Sequence, residues 1–410
     1  MPTEQRSLHL SLTNLSPKMS FNRILITGAT GYVGGTLINR LVASSDPTIQ
    51  SLTFDLLVRT PDAAEKLRST YGNRITTILW SGLLDTSFII STASQYDLII
   101  NVGSGFIPSG AEAFVTGLAE RKSSRHHHPG GSGSGAPAPA PWLLNISGCT
   151  NLADKPLTGV AEPDRVWEDA KSHEVYAWEV ARQAESPYPQ RTTEVAVLTA
   201  GEKTGVSVVS LNTPVIFGEG EGLFNRQGII IPTLLRYTLT KGYGFKLNDS
   251  ANFDYVHVAD LADAFMLLVK IICESYNRGV GTTIPTGKNG ILFPAVGRVL
   301  QTEIFERCLD VYFEKGALTR EDTPTTKEIR LKTLQEVADQ VTTGMLDMAE
   351  QGWAGNKAMS GTILKKLGWK PKHGVESWIQ DFEDEFTALK EGRRGVTFES
   401  CIGTSKRSSY

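Results

Sequence analysis

Three regularly spaced glycines constrain the fold of this chain more than any other feature. They stand in the run Ile24-Leu-Ile-Thr-Gly28-Ala-Thr-Gly31-Tyr-Val-Gly34. An apolar, β-prone segment leads into the first glycine, and apolar residues at helical spacing follow the last. This order of strand, glycine-rich turn and helix is the context of a dinucleotide-binding fingerprint. An ordinary strand–helix corner is the simpler interpretation, but it does not require three glycines, which destabilise element ends unless the backbone must be approached closely.

Each glycine has a distinct expected role in this turn. Gly28 allows a tight turn, Gly31 lets the backbone approach a pyrophosphate, and Gly34 lets the helix pack against the strand. Free N–H groups and the positive helix end then face the phosphates. The cofactor-binding residues predicted in this turn are Gly28, Thr30, Gly31, Tyr32, Val33 and Gly34.

The end of the second predicted strand, Leu52–Val58, indicates which dinucleotide is bound. An acidic residue there selects NAD through the ribose 2′-OH, whereas an arginine can meet the 2′-phosphate of NADP. Arg59 occupies this place, and Asp55 lies too early, inside the strand. The sequence therefore predicts NADP, with NAD less favoured, although a solvated surface arginine is the alternative.

Two later strands extend the predicted site. The strand Asp97–Asn101 opens into small residues that clear space for a cofactor, and Val206–Leu211 leads into a proline. Further cofactor contacts are expected at Asn101, Val102, Gly103 and Pro214. Between these strands, a fifth strand from Trp142 ends in the hydroxyl of Ser147, at the sheet edge where ligands bind in open α/β folds.

Composition excludes several classes of function. The 410 residues are 40% hydrophobic and 21% charged, which is ordinary for a soluble chain of two or three domains. A net charge of −3 argues against nucleic acid or an anionic membrane as partner. No apolar run reaches the roughly 18–20 residues that span a bilayer. The four cysteines lack metal-site spacing, so we expect no metal, no disulfide framework and a cytoplasmic location.

Six strands with intervening helices predict an α/β fold with a Rossmann-type, doubly wound parallel sheet and a smaller, mostly helical substrate lobe. The low-complexity stretch, with its three histidines and Gly/Ser and Ala/Pro repeats, predicts a flexible insertion in which a metal site is not expected.

An alternative start at Met19 would remove no structural element. The expected organisation is a disordered leader over 1–20, a NAD(P)-binding domain over 21–218 with the insertion at 123–141, a lobe with returning Rossmann elements over 219–391, and a polar tail over 392–410.

Several motifs together carry a resemblance to a known family. They are Thr27-Gly28-x-x-Gly31-x-x-Gly34, Val58-Arg59, Ile146-Ser147-Gly148, Thr213-Pro214-x-x-Phe217-Gly218, Val256-His257-Val258-x-Asp260-Leu261-Ala262 and Leu367-Gly368-Trp369-x-Pro371. In this order they resemble the extended and atypical short-chain dehydrogenase/reductases, and most nearly the NAD-dependent epimerase/dehydratase-like proteins of fungi. The resemblance covers residues 22–390 apart from the insertion. It implies a nicotinamide cofactor, a small-molecule substrate, a role in secondary metabolism, and a catalytic hydroxyl at Ser147.

The chain departs from that family where its chemistry is concentrated. The family uses a Tyr-x-x-x-Lys pair on the helix between the fifth and sixth strands, so that the lysine lowers the tyrosine's pKa. Here that helix is predicted over Arg191–Lys203, and Tyr188 and Lys203 would stand roughly 22 Å apart along its axis. The string Tyr237–Lys241 belongs to the substrate side, and we interpret it as coincidence.

Two functional hypotheses therefore remain. The first is an NADP-dependent oxidoreductase or epimerase/dehydratase-like enzyme acting on a small carbonyl or hydroxyl compound, with Ser147 polarising the substrate oxygen. The second is a non-catalytic dinucleotide-binding regulator, which loss of the tyrosine–lysine pair favours. We interpret His257, in a strand just before a helix, as structural. The sequence leaves the substrate and the oligomeric state open.

Overall fold

The computed structural model describes residues 22–126, 140–318 and 325–393, together with 395 and 397. The expected leader, most of the expected insertion and most of the expected tail lie outside these residues. A helix continues to His126, so the first four residues of the 123–141 stretch are helical. No described helix is both long and apolar enough to cross a membrane.

The elements are numbered in chain order. The strands are β1 Arg23–Thr27, β2 Thr53–Val58, β3 Ile75–Leu79, β4 Leu98–Asn101, β5 Trp142–Gly148, β6 Trp167–Glu168, β7 Ser207–Thr213, β8 Val215–Phe217, β9 Gly244–Lys246, β10 Asn252–His257, β11 Ile291–Leu292, β12 Gly297–Leu300, β13 Ile329–Leu331 and β14 Met359–Ser360. The helices are α1 Tyr32–Ala43, α2 Pro47–Gln50, α3 Pro61–Tyr71, α4 Thr86–Ala93, α5 Pro108–His126, α6 Ser172–Glu185, α7 Pro189–Thr204, α8 Ile230–Lys241, α9 Val258–Arg278, α10 Gln301–Glu314, α11 Leu334–Val341, α12 Leu346–Trp353, α13 Ile363–Leu367 and α14 Val375–Lys390.

A seven-stranded sheet forms the centre of the molecule. Its order is β11-β7-β5-β4-β1-β2-β3, and every neighbouring pair is parallel. Apolar residues of α1 and α9 cover one face, and those of α4, α5 and α7 cover the other. The predicted Rossmann-type α/β fold is confirmed. The sequence missed the seventh strand, β11, because two residues are too few to show a period.

Two further differences concern the helices beside the site. The segment Ala161–Ser186 is polar in sequence, yet it contains α6. Helix α7 begins at Pro189, two residues before the predicted start. Proline is favoured at the first helical position, because its missing N–H has no partner to lose there. Tyr188 thereby becomes the residue that immediately precedes the helix.

A separate apolar core lies in the smaller lobe. It joins α8, α10, α11, α12 and α14 to the strand sets β8-β10-β12 and β9-β13. Tyr237 belongs to this core, with its ring against Phe245 and Phe305. Its Tyr-x-x-x-Lys spacing is therefore a coincidence of helix α8, as the sequence indicated.

The segment 218–228 connects the lobe to the first helix of the sheet. Tyr32 donates its hydroxyl proton to the carbonyl oxygen of Gly218. The backbone N–H of Glu221 donates to Thr36 Oγ1 at 3.0 Å, and Arg40 pairs with the Glu221 carboxylate at 2.7 Å. These contacts fix the segment along α1, from Tyr32 to Arg40.

Two buried carboxyl groups of α14 hold the ends of the same segment. Asp381 accepts a hydrogen bond from the backbone N–H of Gly218, and Glu385 accepts one from Gly228. Burial is the main cause that raises the pKa of Asp381 to about 7 and that of Glu385 to about 8. In both residues, one carboxyl oxygen has no hydrogen-bond partner among the described residues. These carboxyl groups therefore take up protons in the folded protein well above the pH at which they would in the unfolded chain.

Replacing Gly34 by alanine should destabilise the protein. A Cβ there would lie 2.1 Å from the carbonyl oxygen of Gly28, which is backbone and cannot rotate away. Overpacking of this kind costs about 1–3 kcal/mol or more. Gly352→Ala is the matched control, because a Cβ there meets nothing within 4 Å and alanine in a helix gains about 0.5–1 kcal/mol over glycine. Urea unfolding followed by circular dichroism would contradict this prediction if both variants were equally stable.

The carboxyl groups of Asp381 and Glu385 should make stability depend on pH. Because both pKa values are raised in the folded state, their contribution is complete below about pH 4 and is lost as the pH rises through 7 to 8. The double variant Asp381→Asn/Glu385→Gln mimics the protonated pair. The difference between its free energy of unfolding and that of the wild type should therefore shift in favour of the variant as the pH rises from 5.5 to 8.5. Glu376→Gln, at an exposed position in the first turn of α14, should show a pH profile parallel to wild type, because Glu376 acts on neither carboxyl group. A constant difference between the double variant and wild type would refute the prediction.

Candidate functional site

The turn between β1 and α1 has the geometry of a backbone cradle. Gly28 has a φ of +78°, and a Cβ there would lie 2.6 Å from the carbonyl oxygen of Val102. The N–H of Gly31 donates to the carbonyl of Gly28 at 2.8 Å. Gly31 is also the N-cap of α1, and no side chain caps the helix. The first-turn N–H groups are therefore available to an anion at the carboxyl edge of the sheet.

The other predicted residues of this turn have separate places. Thr30 is half-buried, whereas Tyr32 and Val33 are buried and begin α1. Because the Tyr32 hydroxyl donates to the Gly218 carbonyl, Tyr32 presents its backbone rather than its phenol to the turn. Burial, assisted by Asp381 and Glu385, raises the Tyr32 pKa well above its ordinary value.

A buried polar chain connects the ends of three neighbouring strands. Thr27 Oγ1 donates to Asn101 Oδ1 at 2.7 Å, and Asn101 Nδ2 donates to Asn145 Oδ1 at 2.8 Å. The N–H of Gly103 donates to the same threonine oxygen at 3.2 Å. The Asn101 side chain therefore aligns β1, β4 and β5, and Val102 and Gly103 form the wall opposite the glycine turn.

Arg59 lies at the end of β2, as expected, and it is exposed. Within the described ranges it forms no hydrogen bond or ion pair. Asp55 lies inside β2, where it accepts a hydrogen bond from Tyr96 at 2.6 Å and pairs with Arg23. The sheet edge near the glycine turn thus carries the Arg59 guanidinium without an acidic partner among the described residues. The nearby acid, Asp55, is bound to Tyr96 and Arg23 instead.

Ser147 lies at the end of β5 and is buried. Its Oγ accepts a hydrogen bond from Asn151 Nδ2 at 3.0 Å. Its own hydroxyl proton is donated to no acceptor in the described part of the chain. A hydroxyl with a fixed oxygen and a free proton can donate to an oxygen that develops negative charge.

A second hydroxyl pair lies beyond Ser147, and the sequence interpretation missed it. Thr150 Oγ1 donates to Gln190 Oε1 at 2.6 Å and accepts from the Tyr188 hydroxyl at 3.1 Å. The Tyr188 ring makes an edge contact with Phe106, which follows the end of β4. Burial raises the Tyr188 pKa to about 12. These residues bring β4, β5 and α7 together at one edge of the sheet.

The residue four positions after Tyr188 confirms the departure from the family motif. It is Thr192, whose hydroxyl donates to the Tyr188 carbonyl at 3.1 Å and accepts from Gln183 at 2.6 Å. The cation nearest to Tyr188 on α7 is Arg191, whose guanidinium carbon lies 5.8 Å from the Tyr188 ring centroid. Pro189 at the helix start was the sequence signal for this arrangement, since it places Tyr188 directly before α7.

Behind these hydroxyl groups lies a buried pair of carboxyl groups, Glu179 and Glu194. Glu194 Oε2 accepts hydrogen bonds from Asn151 at 2.6 Å and Asn212 at 2.9 Å. Burial and then Glu194 raise the Glu179 pKa well above its ordinary value. The pair links the ends of β5 and β7 to α6 and α7.

Two further residues have defined places. Pro214 is buried between β7 and β8 and follows Thr213, whose hydroxyl donates to the Ser147 carbonyl at 2.6 Å. His257 Nδ1 accepts the N–H of Ala259 at 3.1 Å and caps α9, which fits its interpretation as a structural residue. The described residues contain no cluster of His, Cys, Asp and Glu that could hold a metal ion.

Comparison with known proteins supports the fold. No protein-family model matches the sequence. One curated relative, oxidase ucsJ of an Acremonium species, is 23% identical over 359 residues, which span 85% of this chain and 92% of the relative. At this identity the relationship is distant, and the relative's activity is not transferred by sequence alone.

Three solved structures illustrate the structural likeness. The dTDP-glucose 4,6-dehydratase of Streptomyces venezuelae, with NAD bound, has a TM-score of 0.55 at 12% identity and covers 90% of this chain and 98% of its own. Vestitone reductase of alfalfa has a TM-score of 0.53 at 15% identity, with 91% and 99% covered. Yeast methylglyoxal/isovaleraldehyde reductase, complexed with NADPH, has a TM-score of 0.50 at 12% identity, with 90% and 99% covered. The chain therefore has the fold of the extended short-chain dehydrogenase/reductases, as its motifs indicated.

Proposed function

We propose that this protein is an NADP-dependent oxidoreductase or epimerase/dehydratase-like enzyme that acts on a small carbonyl or hydroxyl compound. The observation that carries the proposal is the Tyr188–Thr150 hydroxyl pair, which lies at the same sheet edge as the glycine turn. The distant relative named as an oxidase and the structural likeness to reductases and dehydratases support it. The free, buried cysteines fit a cytoplasmic location.

The residues of the glycine turn fit a dinucleotide. A side chain at Gly28 or Gly34 would collide with backbone, so this cradle is built for close approach. The N–H groups at the start of α1 would hold the pyrophosphate, and Arg59 would meet the adenosine 2′-phosphate. Val102 and Gly103 would bound the adenine side of the site. Pro214, which follows β7, would contact the nicotinamide side. When bound, the nicotinamide would donate or accept a hydride.

The chain's own residues would handle the proton at the substrate oxygen. Ser147 would donate its free hydroxyl proton to that oxygen as a hydrogen bond while negative charge develops. Tyr188 would transfer its phenolic proton to the oxygen in the reducing direction and regain it from solvent afterwards. Thr150 would orient the phenol, because its own proton is committed to Gln190 and it can only accept from Tyr188.

A non-catalytic dinucleotide-binding regulator is the competing proposal. Two observations favour it, the threonine in the lysine position and the burial of Tyr188, which is 3% exposed. Following NADPH absorbance with a panel of aldehydes, ketones and quinones separates the two proposals. Turnover of any panel member supports the enzyme, whereas tight NADPH binding with no turnover supports the regulator.

Arg59 should set the preference for NADPH. Charge-assisted hydrogen bonds to the 2′-phosphate are worth about 1.5–3 kcal/mol, so Arg59→Ala should weaken NADPH binding roughly 10- to 150-fold and leave NADH unaffected. Arg68→Ala is the matched control, since this exposed arginine of α3 pairs with Glu65. Calorimetry on both cofactors is the measurement. Equal dissociation constants for NADPH and NADH, unchanged in the Arg59 variant, would overturn the assignment.

Turnover should depend on Ser147 and Tyr188 but not on Tyr237. Loss of the proton donor in Tyr188→Phe should lower kcat about 10²- to 10⁴-fold, and Ser147→Ala should cost about 10²- to 10³-fold. Tyr237→Phe provides a control, because that tyrosine is also buried but lies in the lobe core. A kcat that falls in the Tyr237 variant and stays unchanged in the other two would place the chemistry elsewhere.

A further inference from the structure

Arg191 is a buried cation with only neutral direct partners. It lies in the first turn of α7 and is 1% exposed. Its Nε donates to the Asn151 carbonyl at 3.0 Å, Nη1 to the Ser186 carbonyl at 3.2 Å, and Nη2 to Gln351 Oε1 at 3.0 Å. Burial lowers the pKa of Arg191, but a guanidinium stays protonated in proteins, so Arg191 carries a positive charge that no carboxylate contacts.

The charged groups around Arg191 act on it through space, without a direct ion pair. Glu179 of α6 is buried, and burial and then the adjacent Glu194 raise its pKa well above its ordinary value. Asp347 of α12 is exposed and pairs with Lys155 at 2.7 Å. Arg182 of α6, another cation, pairs with Glu185 at 3.2 Å. Arg191 therefore forms no direct ion pair, and its positive charge acts electrostatically on the groups that it faces at short range.

The nearest titratable group with a chemical role is Tyr188. The guanidinium carbon lies 5.8 Å from the ring centroid, and the two residues share the start of α7. Arg191 also bonds the carbonyl of Asn151, the residue after the threonine that accepts the Tyr188 hydroxyl. Burial raises the Tyr188 pKa, and the hydrogen bond to Thr150 and then the positive charge of Arg191 oppose that rise. Cys149 and Asp347, the other groups near Tyr188, act in the opposite direction to Arg191.

We propose that Arg191 supplies the positive charge that stabilises the Tyr188 phenolate, in place of the absent lysine. When the phenolic O–H bond breaks and the proton passes to a substrate oxygen, the negative charge left on Tyr188 faces this fixed guanidinium. Arg191 is thus a positioning residue that acts through Tyr188 and touches no substrate. Its importance for turnover rests on the proposed function, but its effect on Tyr188 does not.

The test measures the ionisation of residue 188 directly. A fluorinated tyrosine, more acidic than tyrosine, is incorporated at position 188 so that its titration falls where the protein remains folded. Its absorbance is followed against pH in otherwise wild-type protein and in the Arg191→Gln and Arg191→Lys backgrounds, with circular dichroism at each pH. We expect Arg191→Gln to raise the midpoint by roughly one pH unit or more, and Arg191→Lys to raise it by less.

Two further variants keep the test decisive. The guanidinium carbons of Arg191 and Arg182 lie 5.6 and 5.9 Å from the ring centroid of Trp178 in α6, but Arg182 does not act on Tyr188, so Arg182→Gln should leave the midpoint unchanged. Arg191→Met replaces the glutamine variant if that one fails to fold. An unchanged midpoint in folded Arg191→Gln or Arg191→Met protein overturns the inference, as does an equal shift in Arg182→Gln. Absence of turnover with a clear shift would refute the proposed function and leave the role of Arg191 standing.

Discussion

The contact between the β1–α1 turn and the end of β4 is the constraint on which the rest of the site depends. Gly28 takes a left-handed conformation beneath the Val102 carbonyl, and Gly34 lies directly over the Gly28 carbonyl. Because backbone touches backbone at both places, α1 begins at the sheet edge with its first N–H groups open. The segment 218–228 then packs on α1, which ties the lobe to the same edge.

A second constraint lies behind β5 and β7, where polar groups are buried at considerable cost. A carboxylate there is tolerated only with hydrogen-bond donors, and Glu194 receives two, from Asn151 and Asn212. Asn151 also donates to Ser147, so the Glu194 side chain fixes the segment that carries the hydroxyl groups of Ser147 and Thr150. Buried networks of this kind hold side chains in one geometry, which is what proton transfer to a bound oxygen requires.

Local pattern was sufficient to predict most of the sheet, the glycine turn and the position of Arg59, because each depends on a short stretch of sequence. The partners of Tyr188 could not be found in this way, since the tyrosine and Thr150 are separated by 38 positions and meet only through packing of α7 on β5. The usual family spacing also gave no reason to consider Tyr188, because the residue four positions later is a threonine. Helix α6 was missed because a helix that buries Glu179 lacks a clean apolar stripe.

Arginine at position 191 can replace only part of what a lysine would do. A lysine ammonium on a flexible stem can stabilise a phenolate and also reach other hydrogen-bond acceptors. All three guanidinium nitrogens of Arg191 bond protein oxygens, and the side chain is buried, so it offers charge but no donor to a ligand. A dinucleotide bound here would therefore depend more heavily on the α1 N–H groups and Arg59 for its affinity.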